Sequence, residues 1–249
     1  MGAGDPHKTD APGVATEQPR KPRTSDEELL CAEHAITQNS FSDEQRVERM
    51  RAEMAEGFAA LADVSRGVSL FGSARTPVGH RDYELARETA SMLGAAGFAI
   101  ITGGGPGIMQ AANQGAREAG TRSIGLNIQL PFEQQFNPYL DVALRFHYFF
   151  TRKVMFVRYS SAFVVLPGGF GTMDELFEAL TLIQTGKILH FPVVLLGPHY
   201  WNGLFDWLRA TMLAEGKISS ADVDLIQVAD DPAHAVAIVE RAAARQGRG

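Results

Sequence analysis

The sequence predicts an α/β fold of the Rossmann-like, doubly wound type, with a parallel sheet covered by helices on both faces and an extra helix before the sheet. Short apolar runs such as Ala162–Leu166 and Pro192–Leu196 alternate with segments of helical periodicity, as buried parallel strands and their connecting helices do. Glycine-rich turns follow two of these runs. The chain has 249 residues, 45% of them hydrophobic, which suffices for one sizeable domain over residues 26–249.

The N-terminal part is expected to contain a tail and two helices. Residues 1–25 are rich in Pro, Gly, Thr and charged residues, and we expect them to be disordered because they offer too little apolar surface to offset the entropy of ordering. A short helix is expected over Asp26–Thr37. An amphipathic helix is predicted after Ser42, with acidic residues in its first turn. Its apolar residues recur at helical spacing: Val47, Met50, Met54, Phe58 and Leu61.

From residue 67 onward, a unit of strand, turn and helix repeats along the chain. The predicted strands lie in VSLFG (68–72), FAII (98–101), Ser123–Ile128, Val142–Phe146, Ala162–Leu166, Pro192–Leu196 and Leu225–Val228. The predicted helices cover Tyr83–Ala96, Ile108–Ala119, Thr151–Tyr159, Thr172–Thr185, Trp201–Leu213 and a segment starting at Pro232. The irregular segment LPFEQQFNPYLD between two strands is long enough to be a functional loop.

Charge and composition exclude several function classes. The formal net charge is −6, from 29 acidic and 23 basic residues without a dense basic block, which argues against nucleic acid as a partner. The single cysteine, Cys31, excludes an intrachain disulfide and fits a reducing compartment. The N-terminus lacks the apolar region of a signal peptide, and no run of 18 apolar residues occurs. We therefore expect a cytoplasmic protein with no membrane partner, and the histidine spacing predicts no metal site.

Two glycine turns are candidate anion-binding sites. The first contains Gly103, Gly104 and Gly105 in TGGGPG, and the second is Pro167–Thr172, PGGFGT. Glycines allow an anion to approach the backbone closely, and a helix start offers free N–H groups and a positive dipole end. The alternative is that both are merely tight strand-to-helix connections. Neither turn matches the dinucleotide fingerprint or the P-loop, so a monophosphate is the expected ligand.

The second turn and a preceding pair of cations carry a resemblance to a known family. Arg152-Lys153 is followed, fourteen positions after the lysine, by PGGFGTMDE. This arrangement resembles the signature of the LONELY GUY phosphoribohydrolases, whose P-G-G-x-G-T-x-x-E pattern is complete here, and GGGPGIM resembles the family's other glycine motif. The resemblance covers roughly residues 67–240. The extra N-terminal helix and the LPFEQQFNPY segment make the chain similar to the larger bacterial subgroup.

The resemblance implies hydrolysis of the N-glycosidic bond of AMP or of a purine (cytokinin) riboside 5′-monophosphate, giving free base and ribose 5-phosphate. It implies no cofactor, and at least a homodimer. The main alternative is a protein that carries or senses a nucleotide or the molybdenum cofactor without cleaving it. A carrier needs the glycine turns but has no need of a paired acid and cation, which argues against that alternative.

The resemblance implies that Glu175 and Arg152 are catalytic. The oxocarbenium-like state of glycosidic cleavage needs a nearby carboxylate, and Glu175 would stabilise that cation or activate water. The alternative is a capping box, in which Thr172 begins the helix and Glu175 binds its backbone. The neighbouring Asp174 points about 100° away on a helix and is expected only to stabilise the helix start. Arg152 would hold the phosphate or ribose and orient Glu175, although a single arginine is more often a solvated surface residue.

The other expected substrate contacts come from both turns and their surroundings. They are Ser73, Gly103, Gly104, Gly105, Glu133, Lys153, Gly168, Gly169, Gly171, Thr172 and Thr181. The phosphate is assigned to the second turn. Thr181 matches a ligand position of the family, or else is a helix-surface threonine. Glu133, in the long loop, recognises base or ribose, or else is a solvated acid. His147 and its aromatic neighbours are expected to pack in the core or at a dimer contact.

Overall fold

In the computed structural model, seven parallel strands form one sheet. The structure describes residues 24–30, 41–131, 135–189 and 191–247. The strands are β1 (Gly67–Phe71), β2 (Ala99–Thr102), β3 (Ser123–Ile128), β4 (Val142–Phe146), β5 (Ala162–Val165), β6 (Val193–Leu196) and β7 (Ile226–Ala229). Their order is β4-β3-β2-β1-β5-β6-β7, and every neighbouring pair is parallel. The predicted doubly wound fold is thus confirmed, and the strand order reverses between β1 and β5.

Helices connect most of the strands. They are α1 (Ser25–Leu30), α2 (Asp43–Ala60), α3 (Arg81–Ala95), α4 (Ile108–Glu118), α5 (Phe149–Tyr159), α6 (Phe170–Gln184), α7 (Pro198–Trp207), α8 (Ser220–Val223) and α9 (Pro232–Arg245). A π-helical turn, Leu208–Leu213, continues α7. None of the helices in the described part of the chain has the length and apolar character needed to cross a membrane.

Each face of the sheet has its own apolar core. On one face, side chains of α3, α4 and α9 pack on β1, β2, β5 and β6, around residues such as Leu70 and Val164. On the other face, side chains of α5, α6 and α7 pack around Phe71 and Phe163, whose rings meet edge to face at 4.8 Å. Fully buried strands explain the continuous apolar runs in the sequence, because neither face of a parallel sheet meets water.

Four helices begin two or three residues before their predicted starts. The starts at Arg81 and Phe149 replace Tyr83 and Thr151, and two others show a local cause. The helix after β6 begins at Pro198, not at Trp201, because proline is compatible with a first helical position and Gly197 precedes it in the left-handed conformation at φ 89°. The helix after β5 begins at Phe170, not at Thr172, and its N-cap residue is Gly169. The predicted tail, residues 1–25, lies outside the described residues except for Thr24 and Ser25. The predicted first helix is seen only over α1, since residues 31–40 are also outside them.

The helix predicted after Ser42 is confirmed, but its predicted apolar face is partly wrong. Ser42 caps α2 in a capping box with Gln45. Val47 is 62% exposed, whereas Glu53 is buried. The reason is that α2 packs against α5 with a face that carries a glutamate and a glycine, so a search for apolar residues alone selects the wrong side of the helix.

Candidate active site

A cleft of about 690 Å³ opens at the point where the strand order reverses. The end of β1 and the loop after it, residues 71–75, form one wall, and residues 168–173, which follow β5, form the other. Doubly wound sheets bind ligands at this place because neighbouring strands send their following loops to opposite sides there. The volume lies in the range of small-molecule sites. A groove of about 890 Å³ elsewhere on α5 and α6 is lined largely by apolar side chains and contains neither Arg152 nor Glu175.

The second glycine turn presents an open helix start to this cleft. Gly168, Gly169, Gly171 and Thr172 all line it. The N–H groups of Thr172 and Met173 bond to the Gly169 carbonyl, and within the described residues those of the two preceding helical positions have no backbone partner. Such groups, at the positive end of a 15-residue helix, form an anion-binding surface.

The glycines of this turn leave space that the fold does not use. A Cβ atom added to Gly169 or to Gly171 would meet no atom within 4 Å. Gly169 has φ −92°, a value open to any residue. Neither packing nor backbone conformation among the described residues therefore requires glycine at these two positions, and the open space is available to a ligand. Gly168 differs, because its Cβ would lie 2.1 Å from Thr172 Oγ1.

Glu175 and Arg152 face each other in the cleft as a buried pair. The exposed fraction of the side chain is 4% for Glu175 and 13% for Arg152, and Arg152 Nη2 lies 3.6 Å from Glu175 Oε1. That separation allows electrostatic attraction but is too long for a hydrogen bond. Both carboxylate oxygens of Glu175 and Arg152 Nε are buried without a hydrogen-bond partner in the described structure. Buried polar atoms are rarely left in this state, so the pair is arranged for a ligand.

The pKa of the Glu175 carboxyl lies close to neutral pH. Burial raises its pKa to about 7, against the opposing positive charges of Arg152 and Lys153. Burial also lowers the pKa of Arg152, opposed mainly by the charge of Glu175. A carboxyl with a pKa near the working pH can serve as a general base or as a charge stabiliser.

The capping-box alternative for Glu175 is wrong. Because Gly169 is the N-cap residue, Thr172 lies inside the helix and Glu175 stands too far along it to bond back to the cap. Asp174 points elsewhere, and its Oδ2 lies 2.9 Å from Lys153 Nζ. The 100° rotation between successive helical residues separates the two acids as expected.

The first glycine turn does not line the cleft, contrary to the expectation for Gly103, Gly104 and Gly105. The N–H of Gly104 bonds to Thr102 Oγ1 at 2.9 Å, and its carbonyl accepts the N–H of Asn137 at 2.9 Å. The Asn137 side chain also donates to the Gly105 carbonyl at 3.0 Å. The first turn is thus hydrogen-bonded to the loop before β4. Gly104 has a φ of 70°, a conformation that favours glycine.

Three other predicted contacts are placed away from the cleft or are not described. Lys153 pairs with Asp174 and Glu178 and lines the larger groove. The Thr181 hydroxyl donates to the Phe177 carbonyl at 2.8 Å, next to a small apolar pocket on the other side of α6. Glu133 lies outside the described residues. Ser73, in contrast, lines the cleft as expected.

Several residues that line the cleft belong to no sequence motif that could have identified them. Arg75 adds a second cation from the loop after β1, and Met109 and Phe156 add apolar surface on which a base can lie. Tyr200, from α7, donates its hydroxyl proton to the Gly168 carbonyl at 2.6 Å. These residues come from separate segments, so only the strand order could have grouped them. Arg75 had one usable signal, since it follows a strand that ends at the reversal point.

Two further features bear on the chemistry available. Among the described residues, no three His, Cys, Asp or Glu side chains are grouped so that they could hold a metal ion. No lysine lines the described cleft. An enzyme that uses pyridoxal phosphate holds its cofactor on a lysine, so the residues here do not fit that group.

Comparison with known proteins gives agreeing results. Residues 109–239 match the model of a family described as possible lysine decarboxylase. The chain is 31% identical over 151 residues to the cytokinin riboside 5′-monophosphate phosphoribohydrolase of Mycobacterium tuberculosis, covering 59% of this chain and 80% of that one. It is 33% identical over 146 residues to a probable enzyme of the same name from Oryza sativa, covering 55% and 65% of the two chains.

A solved structure extends the comparison to the fold. The molybdenum cofactor carrier protein of Chlamydomonas reinhardtii superposes with a TM-score of 0.53 and 25% identity, over 72% of this chain and 98% of that one. The family match spans Arg152, Glu175 and the second glycine turn.

Proposed function

This chain belongs to the LONELY GUY family of phosphoribohydrolases, and from that premise and its cleft we propose that it hydrolyses the N-glycosidic bond of purine nucleoside 5′-monophosphates. The products are a free base and ribose 5-phosphate. The candidate substrates are AMP and N6-substituted, cytokinin-type AMP derivatives. The observation that carries the proposal is the buried, unsatisfied Glu175–Arg152 pair beside the open helix start of α6.

The 5′-phosphate is assigned to the second glycine turn. The free N–H groups at the start of α6 and the hydroxyl of Thr172 donate to its oxygens. Arg75 supplies a nearby positive charge from the opposite wall. A nucleoside without phosphate forgoes these contacts, so the enzyme should prefer monophosphates strongly. Nucleoside triphosphates place two further phosphates where the turn offers no matching donors.

Glu175 is assigned to the reaction centre. As the bond between C1′ and the base breaks, positive charge develops on the ribose ring, and an ionised carboxylate close to C1′ stabilises that charge. The same carboxylate can orient the attacking water and accept its proton as the new C1′–O bond forms. The departing base takes up the electron pair of the broken bond and a proton from the medium.

Arg152 is assigned to positioning and charge balance. Its guanidinium lies 3.6 Å from Glu175, and its unpartnered Nε is available to a ribose hydroxyl or a phosphate oxygen. By holding Glu175 ionised it keeps the carboxylate in its reactive form. The family description as possible lysine decarboxylase does not suit this cleft, because its described lining residues include no lysine for pyridoxal phosphate.

The test is base release measured by chromatography from AMP, N6-isopentenyl-AMP, adenosine and ATP. We expect release from the monophosphates only, and its loss in Arg152→Ala. Arg158→Ala is the matched control, since Arg158 lies on the same helix but lines the other groove. Equal activity on adenosine would contradict the assignment of the 5′-phosphate to the second turn.

The competing proposal is binding without cleavage, which the likeness to a molybdenum cofactor carrier favours. It predicts saturable nucleotide binding with no base release from any of the four compounds. That result would overturn the hydrolase proposal for these substrates.

A further inference from the structure

The helix that carries Arg152 begins without a capping side chain of its own. The N-cap residue of α5 is Tyr148, which makes no side-chain cap hydrogen bond. The first N–H groups of a helix need acceptors from elsewhere, and the positive end of its dipole favours a nearby negative charge. Ser, Thr, Asp and Asn usually meet this need at the N-cap position. In α5 the first of these N–H groups, that of Phe149, is bonded by a carboxylate from another part of the chain.

Two carboxylates from the N-terminal helices reach the start of α5. From α2, Glu53 Oε1 accepts the N–H of His147 at 2.9 Å and lies 2.6 Å from His147 Nδ1. Its other oxygen lies 2.8 Å from Thr151 Oγ1. From α1, Asp26 Oδ2 accepts the N–H of Phe149 at 3.2 Å. Both helices precede the sheet in sequence, and neither lines the cleft.

These contacts lie within the five residues that precede Arg152. Thr151 is the residue before it. The ring of Phe149 lies 5.0 Å from the Arg152 guanidinium carbon, and the ring of Phe156 lies 5.6 Å from it. Arg152 Nε has no hydrogen-bond partner in the described structure, so these rings and the course of α5 set the position of the guanidinium. Whatever fixes the first turn of α5 therefore fixes Arg152.

Electrostatics support the same connection. Burial raises the pKa of Asp26, while the N–H of Phe149 and the charge of Arg152 act in the opposite direction. Asp26 is thus close enough to Arg152 for their charges to interact. Carboxylates beside a helix N-terminus and beside an arginine stabilise both.

Packing alone does not account for Glu53. It is 6% exposed, and a buried carboxylate costs desolvation free energy that an apolar side chain avoids. Helix α2 already packs on α5 at another place, where Gly57 lies against the side chain of Met155, with its added Cβ only 2.8 Å from the sulfur. A methionine at position 53 would fill similar space without that cost. The acid at this position needs a reason beyond docking.

We propose that Asp26 and Glu53 are positioning residues that fix the start of helix α5 from the N-terminal extension and thereby hold Arg152 in register with Glu175. Asp26 caps the N–H of Phe149, and Glu53 acts through His147 and Thr151. The inference rests on the proposed function for its kinetic consequence. It assigns the segment before the sheet a part in building the site, although the described part of that segment supplies no cleft residue.

The test compares Asp26→Asn, Glu53→Gln, Glu53→Met and the Asp26→Asn/Glu53→Met double variant in the full chain. Gln keeps one acceptor oxygen but loses the charge, and Met loses both. We expect kcat for AMP to fall a few-fold with Gln and about tenfold or more in the double variant, while KM changes less than about threefold because the phosphate turn is untouched. Glu48→Gln is the control, an exposed acid on the same helix paired only with Arg51 in the described structure.

Amide hydrogen exchange of the protein without ligand supplies a readout independent of activity. We expect faster exchange at residues 149–153 in the Met and double variants, with the α6 amides unchanged. If the wild-type protein releases no base, the proposed function fails, and the exchange result alone decides the capping inference. Wild-type exchange at residues 149–153 in the double variant overturns it.

A purely structural role has a different signature. It predicts that kcat follows the melting temperature across the series, so that Glu53→Gln with an unchanged melting temperature keeps the wild-type kcat. That outcome would also overturn the inference.

Discussion

The two glycine turns look alike in sequence but are glycine-rich for different reasons. In the first turn, Gly107 has φ 67°, and an added Cβ would lie 2.3 Å from the Ser73 carbonyl oxygen. In the second turn, a Cβ on Gly169 or Gly171 would meet nothing within 4 Å. The first turn needs glycine for the fold, because its backbone conformation and close packing exclude a side chain. In the second turn only Gly168 is crowded, against Thr172, and the open positions Gly169 and Gly171 are explained by what binds there.

The hydrogen bonds of the two turns differ in the same way. In the first turn, Gly104 and Gly105 bond to Thr102 and Asn137, and the N–H of Ile108, at the start of α4, bonds to the Ser73 carbonyl. In the second, the first two N–H groups of α6 remain open within the described residues. The two turns therefore differ in how their backbone is engaged: the first is held by Thr102, Asn137 and Ser73, whereas the glycines of the second line the cleft.

The largest expected effect concerns the helix that the second turn opens. Glu175→Gln should lower kcat for AMP by about 10³-fold, because the neutral amide cannot stabilise the developing cation or accept a proton. A loss of thermal stability is also expected, because the change leaves the buried Arg152 without its charged partner, so activity is compared at a temperature where both variants are folded. Asp174→Asn is the matched control, with an expected change below about threefold, as that acid pairs with Lys153 outside the cleft. Steady-state kinetics and thermal unfolding of both variants check this, and comparable losses in the two would break the assignment.

The next effect tests the comparison directly by placing alanine in each turn. Gly171→Ala should raise KM for AMP by about tenfold, equivalent to about 1.4 kcal/mol of binding, with stability unchanged or slightly higher because alanine favours helix. Gly107→Ala should instead cost about 2 kcal/mol of stability through strain at its positive φ and the contact with Ser73. Denaturant unfolding and AMP kinetics separate the two. A stable Gly107→Ala protein, or Gly171→Ala with wild-type KM, would contradict the distinction.

A smaller effect concerns pH. Since Glu175 has a pKa of about 7 and acts when ionised, kcat/KM for AMP should rise with pH through that region. Lys153 lowers this pKa and Glu178 raises it, so Lys153→Gln should move the rise to higher pH and Glu178→Gln to lower pH, each on the order of half a unit. The phosphate of AMP also titrates near pH 6, but equally in all variants, so only the differences count. Shifts of the same sign in both variants would contradict the assignment to Glu175.

The features that could be predicted from the sequence are those that contiguous residues determine. Strand positions and the doubly wound fold class could be predicted because buried strands are continuously apolar, each is a local run, and helices alternate with them. The open helix start at Gly168–Thr172 was also predictable, since the turn and its helix are contiguous. The roles proposed for Glu175 and Arg152 came from the family motif and remain predictions, although the structure brings the two side chains together.

What could not be predicted depends on rotation and on distant contacts. Lys153 follows Arg152 directly, yet a helical rotation of about 100° turns it to a different groove. The engagement of the first turn depends on Asn137, more than thirty residues along the chain. The start of α6 at Phe170 was missed because Gly169 and Gly171 flank that residue and resemble a loop. Periodicity carries no information on any of these contacts.

The smallest expected effect concerns the one described side chain that bonds to the backbone of the second turn from α7. Tyr200 donates to the Gly168 carbonyl at 2.6 Å and is 44% exposed. Tyr200→Phe removes that bond while keeping the ring, so we expect a loss of about 1 kcal/mol or less in stability and a two- to threefold rise in KM for AMP as the open N–H groups become less well ordered, with kcat unchanged. Ribose 5-phosphate inhibition should weaken by the same factor, because product and substrate share the phosphate contacts. If KM for AMP rises while inhibition by ribose 5-phosphate does not change, Tyr200 acts on the base and not through the turn, and its proposed role in ordering the phosphate-binding N–H groups is wrong.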